Sequence, residues 1–449
     1  MRLVPWVSSV FLALVYTFIN RFGIAATHDS LYYLEGASYW LETGTFTNNY
    51  WGNVEPELHY APLFSGLLAL LAKLSNSTPL AVAQWLMPLL AAINLALCGW
   101  LLRMWRWPWL QVSLLILVLG TVHSFYSIHW HIWSEPLYFC LILFATIALL
   151  HWQQNKSNIW FFLATTAAGC SVLARYAGLF LLPFFVLLVF SSIRDGRWKY
   201  SLLFSFWSIL PFLAWTVRNK LVSNTLSSRT IFWDWAGVHE LMKAFETIVS
   251  WSGIAILGAV LVIKFWHQKR FLLLPSGIAF IGGSIYVVLL ILAKSSVDPQ
   301  IPIDARMLAP LLLPILLIFA NEMSWWTPKQ RQIWLTVALL ASSTQAWFFA
   351  AGAYKHGWAF NDQRHFEIGK PLQQMRAILP QEAKLFATDV DAHYLSYLLR
   401  RPVLYLNKSD TLQQGAFYLR WMAAPPETRT TEGTEELINE TVWYRNPAN

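Results

Sequence analysis

Charge is scarce in this chain. Only 12% of its 449 residues are Asp, Glu, Lys or Arg, against 56% hydrophobic residues and a mean hydropathy of +0.44. No soluble domain of this size has such a balance, so the shortage points to a polytopic membrane protein. Cysteine is rarer still. Cys98, Cys140 and Cys170 all lie inside apolar runs and offer neither a disulfide framework nor zinc-ligand spacing. Internal repeats and inverted pairs of broken hydrophobic segments are also missing, which counts against a secondary transporter. The formal net charge of +8 comes from basic residues scattered over loops rather than gathered on one face, and this excludes a nucleic-acid partner.

Aromatic residues, by contrast, are plentiful. The 26 Trp and 17 Tyr cluster near the ends of apolar runs, as at Trp6, Trp105, Trp130, Trp152 and Trp325, in the manner of interfacial belts. A run needs about 20 apolar residues to cross the hydrocarbon layer. By that measure spans are expected near 4–24, 79–102, 109–128, 136–152, 158–174, 177–192, 201–217, 250–264, 272–293, 307–323 and 332–350. The first has no small-residue cleavage site behind it and reads as a span, not a signal peptide. Pro62–Leu74 is too short to cross and reads as a second interfacial or re-entrant helix. With the N-terminus inside, the cytoplasmic connections then carry Arg103, Arg106, Lys156, Arg194, Arg197, Lys199, Lys269, Arg270 and Lys329, as the positive-inside rule requires. Most acidic residues fall on the outer face, where acid–base chemistry is therefore expected. The expected architecture is an α-helical polytopic membrane protein with about eleven transmembrane helices and interfacial helices in the first outer loop. Residues 1–350 form the membrane domain, and the more polar 351–449 form a small extracytoplasmic α/β domain. In that domain 371–379 and 394–399 read as helical, 384–388 and 402–406 as extended, and 425–449 as loosely ordered.

The outer loop after the first span holds THDSLYYLEGASYWLETG, Thr27 to Gly44. Read as a helix from Ser30, it sets Glu35, Ser38 and Glu42 on one stripe facing water or a cavity. Tyr33, Ala37 and Trp40 form the opposite apolar face. Asp29 opens the segment either as an N-cap or as a reactive carboxylate. The same loop ends in EPELHYAP, with Glu55, Glu57 and His59 as solvated or cavity-lining groups. A short outer loop, HWHIWSEP, brings His129, His131 and Glu135 to the top of a span. A carboxylate at that depth is costly unless it is paired or faces a polar cavity. The His-x-His spacing leaves a divalent metal site open beside a plain polar pocket. Arg175 in LARYAGLFLLP, Arg218 in WTVRN and Arg306 in DPQIPIDARMLAPLLLP stand at outer span ends. They either snorkel to headgroups or offer planar forks to a phosphate. Three together beside an acidic loop favour an anionic, membrane-embedded ligand.

The order and spacing of HDSLYYLEGA, HYAPLFSGLLALL, SEPLYF, RYAGLFLLP, WTVRN and ARMLAPLLLP resemble the GT-C superfamily of polyprenyl-phosphate-sugar-dependent glycosyltransferases. The layout is nearest to the protein mannosyltransferase and lipid A aminoarabinose transferase branch. The resemblance implies an inverting transfer from a polyprenyl-phosphate sugar to a hydroxyl of a lipid-linked glycan, lipid or protein acceptor, with Asp29 as general base. It implies that Arg175, Arg218 and Arg306 hold the phosphate, and that Glu135 and His131 line the acceptor or sugar pocket. Glu135 counts with Asp29 in the acid–base set, and His28, His59 and Tyr60 as substrate contacts. No cofactor is required, although the metal reading stays open. The implied setting is a bacterial inner membrane with the N-terminus cytoplasmic and the C-terminal domain outside. Two departures leave sugar and acceptor unnamed: Ser30 follows Asp29 where relatives often have a second acid, and Ala61 precedes Pro62 where they have Lys or Pro. The rival readings are a flippase or transporter of a lipid-linked anion, a metal-dependent oligosaccharide transferase, and a structural membrane subunit.

Overall fold

A computed structural model of the chain describes residues 4–226 and 275–356, apart from short gaps at 20–23, 25, 51–52, 193–194, 297–302 and 324–325. Beyond these it describes Met242, Glu246, five strands after residue 384, and Leu379, Leu395, Ser396 and Leu399. The chain divides into two compact units, one comprising Met1–Ile19, Leu58–Phe64 and Trp85–Ala351, the other Asn20–Glu57, Ser65–Gln84 and Gly352–Asn449.

The first unit is helical. Its elements are α1 (Val4–Ile19), most of α4 (Pro79–Met104), α5 (Trp109–Thr121), α6 (His123–Trp130), α7 (Glu135–Asn155), α8 (Asn158–Ala174), α9 (Gly178–Ser192) and α10 (Arg197–Ser223). After the segment left undescribed come α11 (Pro275–Ser296), α12 (Ala305–Leu308), a 3₁₀ turn (Ala309–Leu311), α13 (Leu312–Glu322) and α14 (Pro328–His356). The α7–α8 hairpin is the most closely packed pair, and α10 and α9 pack on α8, α11 on α9, and α13 on α11. Helix α7 ends where Lys156 turns left-handed at φ 52° and its N–H caps Trp152. Phe184, Phe185, Phe204, Leu181 and Leu290 are fully buried between these helices or nearly so. Burying such side chains supplies about 1.5–3 kcal/mol each relative to exposure in water.

Among the described residues four helices are long and apolar enough to cross a membrane: Pro79–Met104, Glu135–Asn155, Arg197–Ser223 and Ser276–Ser296. Several other expected spans take different forms. Residues 109–128 do not make one straight span, because Val122 is extended at φ −70° and ψ 130° and the axis bends by 65° into α6. The Val122 carbonyl then restarts the helix by accepting from the Phe125 and Tyr126 N–H groups. Residues 307–323 are likewise cut into α12, the 3₁₀ turn and α13, since Pro310 and Pro314 each withdraw a backbone donor. Helices α8 and α9 are apolar but short. The span expected at 250–264 lies outside the described residues.

The second unit holds α2 (His28–Thr43), the antiparallel hairpin β1 (Thr47–Tyr50) and β2 (Asn53–Pro56), and the body of α3 (Pro62–Ser75). It also holds β3 (Leu385–Ala387), β4 (Val403–Tyr405), β5 (Phe417–Trp421), β6 (Thr434–Ile438) and β7 (Thr441–Arg445). The sheet runs β4-β3-β5-β7-β6, with β3 parallel to both its neighbours and the other pairs antiparallel. The tail expected to be loosely ordered therefore supplies two strands. Its Thr and Glu content masked runs such as TVWYR, whose β-branched and aromatic residues suit a pleated sheet. The helix expected at 371–379 lies almost entirely outside the described residues, while in 394–399 the described Leu395, Ser396 and Leu399 are helical, as expected.

Gly178 opens α9 against α8 so closely that a Cβ there would stand 2.9 Å from both the N and Cα of Val172. Backbone cannot yield as a side-chain tip can. Gly178→Ala should therefore destabilise the first unit by about 1–3 kcal/mol, read as earlier thermal unfolding in detergent micelles.

Candidate anion-binding active site

Helix α7 starts at Glu135 behind the N-cap Ser134, with Pro136 in its first turn. That end of a helix carries partial positive charge and favours a carboxylate. Glu135 is only 2% exposed, and its Oε1 is ion-paired to the guanidinium of Arg175 and, at 3.3 Å, to Arg306 Nε. Each arginine reaches it from a place where a helix is interrupted. Arg175 is the C-cap of α8, where its N–H donates to Ser171 and its carbonyl accepts from Gly178 N–H at 2.8 Å. Arg306 lies in α12, whose N-cap Asp304 accepts from the backbone N–H groups of Arg306 and Met307 at 3.0 Å. Both arginine side chains are 15% exposed, against 2% for Glu135.

The surrounding residues fix these cations. Arg306 lies 4.9 Å over the Trp133 ring, and Trp133 stacks on His131 at 4.1 Å and 9°. Arg175 also touches the Met307 sulfur, while Tyr286 donates to the Met307 carbonyl at 2.8 Å. The neighbour of Arg175, Tyr176, donates to the Tyr60 carbonyl at 3.2 Å and accepts from Trp215 Nε1 at 2.9 Å. Arg218 stacks 4.6 Å over that Trp215 and donates to Asn219 Oδ1. His59 packs edge-on to Tyr60 at 4.9 Å. Two guanidiniums meet one carboxylate at the Glu135 knot, and a guanidinium is suited to bidentate contacts with anionic oxygens.

The sequence-derived candidates thus divide. Glu135, Arg175 and Arg306 come together, His131 joins through Trp133, and Arg218 and Tyr60 join through Trp215 and Tyr176. His28 and Asp29 belong to the other unit, in the first turn of α2. There Thr27, not Asp29, is the N-cap, and its N–H donates to Ser30 Oγ at 2.9 Å. Asp29 is half-buried. Helix α2 closes as expected at Gly44, left-handed at φ 73°, whose N–H caps Trp40. The water-facing stripe differs: Glu35 and Ser38 are buried at 4% and 2%, and only the end of α2 from Leu41 is exposed. Glu57 is also buried and accepts from Asn48, so it is no solvated loop residue.

The metal reading meets a specific obstacle. His129 Nδ1 donates to the Phe125 carbonyl at 2.6 Å and Nε2 accepts from Asn94 Nδ2 at 3.0 Å, so neither nitrogen is available as a ligand. Among the described residues no group of three or more His, Cys, Asp or Glu side chains is placed to hold an ion. Sequence reasoning also passed over Asn94, Tyr138, Tyr286 and Lys294, all buried. Each is a single polar residue in an apolar run, and only Tyr138, three positions after Glu135 and so on its helix face, carried a usable signal.

The described helices, four of them long and apolar enough to cross a membrane, share the fold of solved ArnT structures. The crystal structure of ArnT from Cupriavidus metallidurans bound to undecaprenyl phosphate is similar to this chain, with a TM-score of 0.62, 15% identity, and coverage of 98% of this chain and 99% of that one. The apo structure of the same ArnT gives a TM-score of 0.61 at 14% identity and covers 98% of each chain. No family model and no curated protein matches the sequence.

Removing the shared counter-charge should be costly. Glu135→Ala leaves two cations facing each other in a half-dry site, a loss of about 3–5 kcal/mol for breaking such a pair. The check is chemical unfolding of the purified protein, with Glu135→Asp losing less.

Proposed function

We propose that the protein is a membrane glycosyltransferase that moves a sugar from a polyprenyl-phosphate donor to an acceptor hydroxyl on the extracytoplasmic face. The observation that carries this reading is the Arg175–Glu135–Arg306 knot at interrupted helix ends, within a fold whose full length is shared with a structure that contains undecaprenyl phosphate. A phosphate needs preorganised cations on the face where the leaving group accumulates charge, and such groups give the largest single contribution to many transfers. Arg175 and Arg306 supply them, and Glu135 keeps them aligned between turnovers as a positioning residue. His131 backs the Trp133 ring under Arg306, and Arg218 lies over Trp215, which bonds the Tyr176 hydroxyl beside Arg175 in sequence.

Asp29 acts as the general base. What supports the role is its place, a half-buried carboxylate in the first turn of α2, where Thr27 is the N-cap. It takes the proton of the acceptor hydroxyl as the oxygen attacks the anomeric carbon. The bond from that carbon to the phosphate oxygen breaks, the electron pair leaves with the lipid phosphate, and one displacement inverts the centre. The N-terminus is cytoplasmic, and residues 351–449 form the extracytoplasmic domain of a bacterial inner-membrane protein. A carrier would need a polar path through the bundle. The buried hydroxyls of Thr146, Thr165 and Ser171 are instead spent on carbonyls of their own helix turns, three or four residues back.

Turnover assays with a panel of synthetic polyprenyl-phosphate sugars test this. Wild type should consume a donor of the panel, and Asp29→Asn should lose about 10²–10⁴-fold in kcat while still binding that donor. Normal turnover by Asp29→Asn would remove Asp29 as base.

A further inference from the structure

Two polar atoms on one face of α7 are left without hydrogen-bond partners among the described residues. One is Glu135 Oε2, since both arginines meet the carboxylate at Oε1. The other is the hydroxyl of Tyr138, whose residue is only 1% exposed. Positions i and i+3 of a helix are neighbours, so the two buried atoms stand one turn apart on the same side of α7. The Tyr138 hydroxyl lies within electrostatic reach of Arg175 and Tyr286, but Tyr286 gives its own proton to the Met307 carbonyl. Nearby Asn94 is half satisfied: its Nδ2 reaches His129 Nε2 and the Pro136 carbonyl, while its Oδ1 has no partner among the described residues.

The two open atoms are complementary. Glu135 Oε2 can only accept, and Tyr138 has an O–H to donate. A phosphate oxygen would satisfy Tyr138 but would repel Glu135. A hydroxyl group satisfies both, because it donates to the carboxylate and accepts from the phenol. We infer that Glu135 Oε2 and Tyr138 Oη form a hydroxyl-reading pair that selects the sugar of the lipid-phosphate donor, next to the phosphate held by Arg175 and Arg306. This rests on the donor class proposed above and adds the residue that discriminates one sugar from another. A site built to bond a hydroxyl rejects the analogue lacking it strongly, because its own buried polar atoms are then left unpaired.

Tyr138→Phe removes one oxygen and strands no partner, so its thermal unfolding should match wild type. The experiment compares wild type and Tyr138→Phe in binding decaprenyl phosphate, a panel of decaprenyl-phosphate pentoses and hexoses, and deoxy forms of the preferred one. The expected result is an unchanged affinity for decaprenyl phosphate and a roughly 10–100-fold loss for the preferred sugar donor. One deoxy donor should bind wild type and variant alike. Equal loss for the sugar donor and for decaprenyl phosphate would make Tyr138 a phosphate ligand and overturn the inference, as would no loss for either. Failure of wild type to bind decaprenyl phosphate at all would instead overturn the donor class, which separates the two failures.

Discussion

A carboxylate held at 2% exposure between two guanidiniums is the constraint around which the first unit is arranged. In a chain with so little charge, three ionised groups converging inside a helical bundle are expensive unless they satisfy one another. Glu135 is nearly sealed, whereas the side chains of Arg175 and Arg306 are each 15% exposed.

The interruptions of regular structure follow from the same need. Arg175 leaves the end of α8 at a turn so tight that Gly178 must lie against Val172. Arg306 is presented by a four-residue helix capped by Asp304 and followed by prolines, where a continuous span would have directed it elsewhere. Glu135 opens α7 just after α6, which is itself bent away from α5 at Val122. Helix ends are the places where backbone dipoles and exposed turns can meet charged side chains at membrane depth. Trp133 lies against Arg306 and Trp215 against Arg218 by their ring faces, which adds no buried charge to the bundle.

Much of this was legible in the residues themselves. Apolar runs placed most helices to within a few residues, and the Gly44 stop of α2 and the non-crossing length of Pro62–Ser75 followed from local rules. The order of short motifs pointed to the fold that the whole chain then displayed. Glu135, Arg175 and Arg306 stood out because charge is so rare between spans. The kink at Val122 was hidden, since Gly120 two residues earlier is a lone glycine in an apolar run, which by itself marks no break. The strands of the tail were hidden by Thr and Glu, whose polarity says little about edge pairing. The capping of α2 was also hidden: Asp29 is the better capping residue by type, yet Thr27 is the N-cap and pairs with Ser30. Single buried polar residues such as Asn94 and Tyr138 carry almost no signal in sequence, because only the neighbours reveal whether their atoms are satisfied.

The central claim is that the knot is a phosphate site and not a structural ion cluster. Competition between a polyprenyl phosphate and the matching polyprenol, titrated against the purified protein at low and high salt, tests it most directly. The account predicts saturable binding of the phosphate that weakens with salt, weakens further in Arg175→Gln, and is absent for the alcohol. Equal binding of phosphate and alcohol, insensitive to salt and to Arg175, would contradict it and leave the three charges as a brace within the bundle.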